Sequence, residues 1–452
     1  MPKNHTTPAR LCIIGDGYSA AALLLHLATG NHGYGLKAGN IAIVGKGRLG
    51  AGQAFGCVSD HFRLNVRAGL MQLWPDQKSH FAEWAERNVF DPEASTDVGQ
   101  FHRRRDFATY IESQLQEHGI LASTTRHQHS ACRLSQSEQG WQITLDDASQ
   151  VLAKNVVVAT GNPPPAWPFP MKGVTEGPEL VQSPWRGDWV NDVEADSHVV
   201  IIGGGLTALD AVHSLSQLHH TGPITIVTPH GMLPPKQTGW KFTSAPKWPE
   251  TPTALSFLKC MRSAVGKGDW TLPGWQEQFE GLRVDISSAW MRMTPSNQNR
   301  LIRRLGWLWS LARFRAGPQA HSSASRLIET GQLTIVPDRV AGLSRQHGGR
   351  LRLQLNKTDN LACDVVVNCS GAGKDPLVSQ MILDGVIARH QTAHSRPALT
   401  HDLAFLRPDG TAYNNLHALG PLTSHVTGDV LGAASISRQA KQLSQTLHKQ
   451  MA

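Results

Sequence analysis

The chain lacks a C-x-x-C pair. Its six cysteines, Cys12, Cys57, Cys132, Cys260, Cys363 and Cys369, are scattered without metal-like spacing, so neither a disulfide framework nor a zinc site is indicated and a reducing compartment is expected. It also lacks any apolar run of the roughly 18 residues that a membrane-spanning helix needs. Charged residues are scarce at 17% against 40% hydrophobic, which excludes disordered and fibrous classes. The start, Met1 to Arg10, is short and polar, and the apolar stretch after it is broken by Asp16 and glycines, a poor signal peptide. A cytoplasmic protein without membrane contact is expected. No heptad or long apolar edge speaks for a partner subunit, and the oligomeric state stays open.

What is present is a chain of 452 residues, enough for two or three domains at roughly 100 to 200 residues each. The 42 glycines and 26 prolines are well spread, which suits many strand-to-helix turns better than a helical bundle. Lys and Arg number 43 against 35 Asp and Glu, a formal charge of +8 with 22 histidines neutral. That balance suits anionic cofactors, anionic substrates or nucleic acid alike.

One local pattern occurs twice. Leu11 to Ile14, an apolar run, leads into Gly15-Asp16-Gly17-Tyr18-Ser19-Ala20 and a helical Ala21 to Ala28. Val199 to Ile202 leads into Gly203-Gly204-Gly205-Leu206-Thr207-Ala208 and a helical Leu209 to Leu218. A second strand follows each, Ile41 to Val44 and Ile224 to Val227, at the spacing of a βαβ crossover. Downstream, Trp141 to Leu145 and then Val156 to Gly161 are matched by Leu351 to Leu355 and then Val365 to Gly371. The second interval is longer, and Trp240 to Gln319, where Trp and Arg recur at helical spacing, is the candidate insertion. The expected fold is α/β, with two Rossmann-like, three-layer ββα dinucleotide-binding domains, the second inserted into the first and carrying helices at about 240–320. The expected boundaries are 1–165, 166–375 and a C-terminal return at 376–452.

In a G-x-G-x-x-A loop the first glycine makes the turn, the second admits a pyrophosphate to the backbone, and the small last residue lets helix and strand pack. The helix N-terminus then faces the phosphates. Two such loops point to a bound flavin and a diffusible nicotinamide exchanging hydride. The second strand normally ends in an acid for the ribose. Here the first copy reads Gly45-Lys46-Gly47 and the second Thr228-Pro229-His230. The first site is expected to hold FAD, with backbone and Lys46 at the ribose, the alternative being that it has lost its ligand. The second is expected to take NADPH, since no carboxylate repels a 2′-phosphate and Thr228, His230 and Lys236 offer donors.

Gly50-Ala51-Gly52-Gln53-Ala54-Phe55-Gly56, then His61-Phe62-Arg63-Leu64-Asn65-Val66-Arg67-Ala68 and Met71, resemble the G-x-G-x-A-Y, H-L-L-N-v-x-a and M signature of FAD/NAD(P)-binding proteins of the YdhS type. These are distant relatives of class B flavin monooxygenases and amino-acid N-hydroxylases. Further matches are Ser183-Pro184-Trp185, Gly205 to Asp210, Arg313 to Pro318 and Leu419-Gly420-Pro421-Leu422, so the resemblance spans nearly the whole chain. It implies an FAD domain interrupted by an NADP domain and oxidoreductase chemistry. It places Gly15, Gly17, Tyr18, Ser19 and Ala20 with Thr160 and Gly161 around FAD, and Asn65 and Met71, the catalytic candidates, near the flavin ring. Gly203, Gly205, Leu206, Thr207 and Ala208 would face NADPH. Gly420, Pro421 and Leu422 would close over the flavin, with the helix from Ser435 aimed at its pyrimidine. The sequence departs from that family at Gly45, at Pro229 in place of an Arg, and between Ser424 and Leu431.

The reaction implied is NADPH-dependent monooxygenation, with N-hydroxylation of a small, anionic, amine or amino-acid-like substrate by molecular oxygen as its specific form. The alternatives are a reductase that does not oxygenate and a regulatory protein that binds dinucleotides without catalysis. Cys363 and Cys369 read as core residues rather than a redox pair. Arg63, Arg67 and His80 could meet an anionic group, although surface charge and local capping account for them somewhat better. Trp74 reads as a flavin neighbour or a loop anchor, and Trp290, Trp307 and Trp309 as a packed helical hairpin. Arg103-Arg104-Arg105 reads as a solvated turn or an FAD phosphate contact rather than a nucleic-acid patch.

Overall fold

The computed structural model describes residues 7–29, 40–171, 174, 177–240, 244–266, 274–346, 349–391, 395–428 and 432–451. Residues 1–6 of the polar start, and 429–431 of the stretch in which the sequence departs from the related family, lie outside these. Among the described residues no helix is long and apolar enough to cross a membrane.

The first unit opens with β1 (Ala9–Ile14), α1 (Tyr18–Thr29) and β2 (Ile41–Val44). It continues through α2 (Arg104–Glu117), β3 (Thr124–His127), β4 (Ala131–Ser137), β5 (Gly140–Leu145) and β6 (Gln150–Val158). The four-residue runs of β2 are buried on both faces, as a strand between two helical layers requires. Helix α1 buries every residue from Tyr18 to Leu27. A helix apolar on all sides belongs inside a layer rather than on its surface.

The second unit comprises β7 (Leu180–Val181), β8 (Val199–Ile202), α3 (Leu206–Gln217) and β9 (Ile224–Val227). Helices α4 (Ala254–Val265), α5 (Trp275–Arg283) and α6 (Pro295–Arg313) follow. Then α7 (Pro318–Glu329) leads to β10 (Leu333–Val336). An antiparallel trio, β11 (Val340–Arg345), β12 (Leu351–Leu355) and β13 (Leu361–Cys363), precedes β14 (Val365–Asn368). The chain ends with α8 (Pro376–Leu383), β15 (Ala404–Leu406), β16 (Ala412–Ala418) and α9 (Ala433–Met451).

The first sheet runs β15-β16-β6-β1-β2-β3, with β5 and β4 folded beside β6, and the second runs β10-β9-β8-β14-β7. The central four strands correspond pair for pair: β6-β1-β2-β3 repeats as β14-β8-β9-β10. Even the register repeats, Ile14 lying between Val44 and Val158 as Ile202 lies between Val227 and Asn368. β16 adds to β6 in parallel and α9 packs against α1. The chain therefore returns to its first unit after completing the second, the nested order expected of the sequence.

Helices α4 to α6 build a small core of their own from Trp248, Phe257, Trp275, Phe279, Leu282, Ile286 and Met293, with Trp290 and Trp309 packed against it. Trp307 is the exception to the hairpin reading. It is 40% exposed, and its ring lies outside that cluster.

Candidate functional site

Each glycine loop is bound to its sheet by the same three backbone hydrogen bonds. Gly15 N donates to Val44 O and Ala159 N to Ile14 O, at 2.8 and 2.7 Å, while Gly203 N donates to Val227 O and Cys369 N to Ile202 O, at 2.9 and 2.8 Å. Gly45 N donates to His127 O as Thr228 N donates to Val336 O. The first glycines have φ of +116° and +102°, and a Cβ on either would fall onto a backbone carbonyl oxygen, Ala159 O for Gly15 and Cys369 O for Gly203. Only glycine satisfies both conditions at these turns. The third small residues, Ala20 and Ala208, are fully buried between helix and strand.

The second glycines differ. A Cβ on Gly205 would meet nothing within 4 Å, so the α3 N-terminus presents open backbone to an incoming diphosphate, with Leu206 and Thr207 on its first turn. Gly17 faces Gly52, whose own Cβ position lies 2.8 Å from Gly17 Cα, and Gly50 N donates to Asp16 O at 2.7 Å. The Gly50-Ala51-Gly52 segment thus braces the first loop from outside. Gly161 stands with φ of +73° and nothing within 4 Å of a Cβ.

Several candidates turn out to have structural partners. The Tyr18 hydroxyl lies 3.0 Å from both Gln72 O and Ala433 O, which ties α1 to α9. Ser19 is buried against Gly420, whose N–H donates to Gln439 Oε1 at 2.7 Å, and Leu422 is in the core. Pro421 opens the short turn between them. The Thr160 hydroxyl donates to Asp375, the residue that caps α8 through Val378 N. Lys46 is paired with Asp146 at 2.5 Å and its side chain is largely exposed, so it extends away from the loop.

The Asn65 segment lies where both units and the helical insertion meet. Gly317, at the start of α7, would place a Cβ 3.3 Å from Leu64 O. Asn65 is half-buried and makes no side-chain hydrogen bond among the described residues, which leaves its amide available. Met71 is buried in the apolar cluster with Tyr18, Leu64 and Ala68, so it offers a wall rather than a reactive group. Arg67 lies over Trp240, 4.6 Å from its centroid. Behind them, buried Glu280 holds Arg315 and, at 2.6 Å, Arg283.

Other expectations are corrected. Arg63 is spent on structure: it is buried, with a bidentate pair to Asp91 at 2.8 and 3.1 Å and a further bond to Glu93 at 2.7 Å. His80 bonds the Tyr110 hydroxyl at 2.7 Å, while Trp74 takes one of its two expected roles, anchoring its loop by donating to Gln114 at 2.9 Å. The three consecutive arginines are each paired with an acid. Arg103 pairs with Asp106, Arg105 with Asp60, and buried Arg104 crosses to Asp210 on α3 at 2.7 Å. Among the described residues two groups of metal-ligand type occur, Asp91 with His102 and Asp106, and His129 with Asp146 and Asp147. Asp91, Asp106 and Asp146 are already paired with Arg63, Arg103 and Lys46.

At the second site Thr228 is buried with its hydroxyl 2.9 Å from the Cβ position of Gly204. His230 stacks on Trp307 of α6, centroids 3.9 Å apart and planes 17° from parallel. Lys236 is 3.5 Å from Asp97. The insertion therefore reaches the end of β9, which spacing alone did not reveal. All six cysteines are free thiols. Burial pushes Cys57 up to about 11 and both Cys12 and Cys363 up to about 12, and buried Cys369 is also raised. These are unreactive core thiols.

Residues 12–163 match the profile of the FAD-NAD(P)-binding family. No curated protein matches the chain by sequence. Among solved structures, the ornithine N-hydroxylase of Kutzneria sp. 744, in a complex with reduced FAD, NADP+ and L-ornithine, is similar with a TM-score of 0.68 at 13% identity, covering 98% of this chain and 100% of that one. L-lysine 6-monooxygenase from Pseudomonas syringae gives 0.65 at 16% identity over 98% and 99%. The bacillithiol disulfide reductase of Bacillus cereus gives 0.56 at 13% identity over 98% and 99%. At these identities the likeness establishes a shared two-unit α/β fold.

Proposed function

We propose that the protein is an FAD-dependent, NADPH-using monooxygenase that hydroxylates the nitrogen of a small amine or amino-acid-like substrate. The observation that carries this reading is the repeated loop, in which each first glycine is pressed onto the carbonyl that follows the neighbouring parallel strand, β6 in the first unit and β14 in the second. That geometry leaves a helix N-terminus at the carboxyl end of each sheet, where diphosphates bind. The family match over the first unit and the fold shared with ornithine and lysine hydroxylases support the choice of cofactors. The fold is also shared, less closely, with a disulfide reductase, but that chemistry needs a thiolate pair, and the cysteines here are free thiols with the buried ones held protonated.

Bound FAD would supply the redox chemistry, taking two electrons from NADPH so that one atom of oxygen passes to the amine nitrogen and the other leaves as water. The chain's own part is to hold and orient. Gly15, Gly17 and Ala20 would carry the FAD diphosphate, and Asn65 would turn its free amide towards the ring. Gly203, Gly205, Leu206, Thr207 and Ala208 would carry the NADPH diphosphate. Thr228 and His230 would meet its adenosine end, with the Trp307 ring as a flat surface for adenine. Arg67 and Trp240 would wall the substrate side.

The test begins with the visible spectrum of protein loaded with FAD. NADPH is added without oxygen and then air is admitted, with L-ornithine, L-lysine and cadaverine as trial amines. Bleaching by NADPH and oxygen uptake matched by N-hydroxylated product are expected. NADPH oxidation without product would favour the reductase, and binding without bleaching the regulatory protein.

A further inference from the structure

A dinucleotide site of this kind needs a hydrogen-bond acceptor for the ribose hydroxyls, and a carboxylate at the end of the second strand usually provides it. β2 instead runs into Gly45, yet the space beside Gly45 is filled. A Cβ there would lie 2.6 Å from both Cγ and Oδ2 of Asp16, and a Cβ on Gly47 would lie 3.2 Å from the same oxygen. Asp16 is the middle residue of the first glycine loop. Its Oδ2 accepts from Gly47 N and lies 3.9 Å from Arg126 on β3. The loop's acid has been folded across onto the end of the neighbouring strand.

We propose that Asp16 is the ribose acceptor of the first site, its carboxylate receiving the adenosine ribose hydroxyls of FAD in place of a second-strand acid. The inference rests on the reading that the first unit binds FAD. A carboxylate offers about four lone-pair directions. Gly47 N–H and Arg126 both approach Oδ2, which leaves Oδ1 for hydroxyl donors. The side chain is 15% exposed, partly desolvated but reachable from the crevice beyond the strand ends. Gly45 is the other half of the same arrangement: a second acid at 45 would collide with Asp16 and repel it.

Position 45 and position 16 are therefore interchangeable sources of one carboxylate, and the swap can be tested. Apoprotein is titrated with FAD and, separately, with FMN, which lacks the adenosine, following flavin fluorescence; the melting temperature of each apoprotein is recorded. Asp16→Asn is expected to weaken FAD about 10- to 100-fold, the size of a hydrogen bond to a charged group, and to leave FMN affinity and melting unchanged. Gly45→Glu alone is expected to lose FAD, and Asp16→Gly with Gly45→Glu to regain most of the affinity that Asp16→Gly loses. The proposal is overturned if Asp16→Asn binds FAD as the wild type does, if FAD and FMN weaken together, or if the double variant binds no better than Asp16→Gly. A wild-type protein that takes up neither flavin would instead remove the functional reading beneath it.

Discussion

Asp210 is buried in the first helix of the second unit, and burial alone would drive its carboxyl towards the neutral form. Arg104 of the first unit, 2.7 Å away and equally enclosed, works against that shift through its charge and its hydrogen bond. Removing one partner of such a pair leaves a buried uncompensated charge, at a cost of about 3–5 kcal/mol. Arg104→Ala is therefore expected to lower the urea midpoint sharply, and Arg104→Met combined with Asp210→Leu to recover most of the loss. A single variant as stable as the wild type would show that water reaches Asp210. None of this was legible in the sequence, where Arg104 reads as one of three consecutive cations and Asp210 as an ordinary helix residue. The pairing spans 106 positions and leaves no local pattern. Asp16 and Gly45 were each visible, as a charge in a loop and a missing acid. Only the fold shows that the first occupies the place of the second.

Elements were legible where their signal is local. Four apolar residues, a glycine turn and a small residue three places on determine strand, bend and helix without outside help, and both copies were readable for that reason. The two glycines of one loop should nonetheless behave differently. Gly203→Ala forces a Cβ onto the Cys369 carbonyl at a φ of +102°, so both stability and NADPH-dependent flavin reduction are expected to fall. Gly205→Ala meets nothing within 4 Å and should melt as the wild type does. It would still occupy the space of the diphosphate and raise KM for NADPH at least about tenfold, roughly 1.4 kcal/mol. Equal KM values for Gly205→Ala and wild type would remove the diphosphate from that loop. The helical insertion was readable as helices but not as a neighbour of the nucleotide loop, since the stack of Trp307 on His230 joins residues from separate elements. Trp307→Ala is expected to raise KM for NADPH about 5- to 100-fold, as loss of a base-stacking ring does, with kcat unchanged. An unchanged KM would return Trp307 to a packing role.

At the scale of the whole molecule, the nested order places histidines inside both units. His26 is enclosed between α1 and α9, beside Ser437, and His213 faces α7 through Ser323. His417 lies on β16, and His425 is buried against Pro397 O. Burial holds all four at about 4, well below the ordinary 6.5. In the folded chain they are neutral at pH 6, whereas in the unfolded chain they begin to take up protons below pH 6.5. The unfolded state therefore binds more protons between pH 6.5 and 4, and stability rises with pH across that window. The contribution is complete above pH 6.5 and is lost progressively as pH falls towards 4. The melting temperature is accordingly expected to be level from pH 7 to 8 and to drop steeply between pH 6 and 4.5. Replacing His26 and His425 with Gln, neutral at every pH, should flatten the drop even if it lowers the plateau. A descent of unchanged steepness in that double variant would place the acid sensitivity in the carboxylate pairs, such as Arg63 with Asp91, instead of in the buried imidazoles.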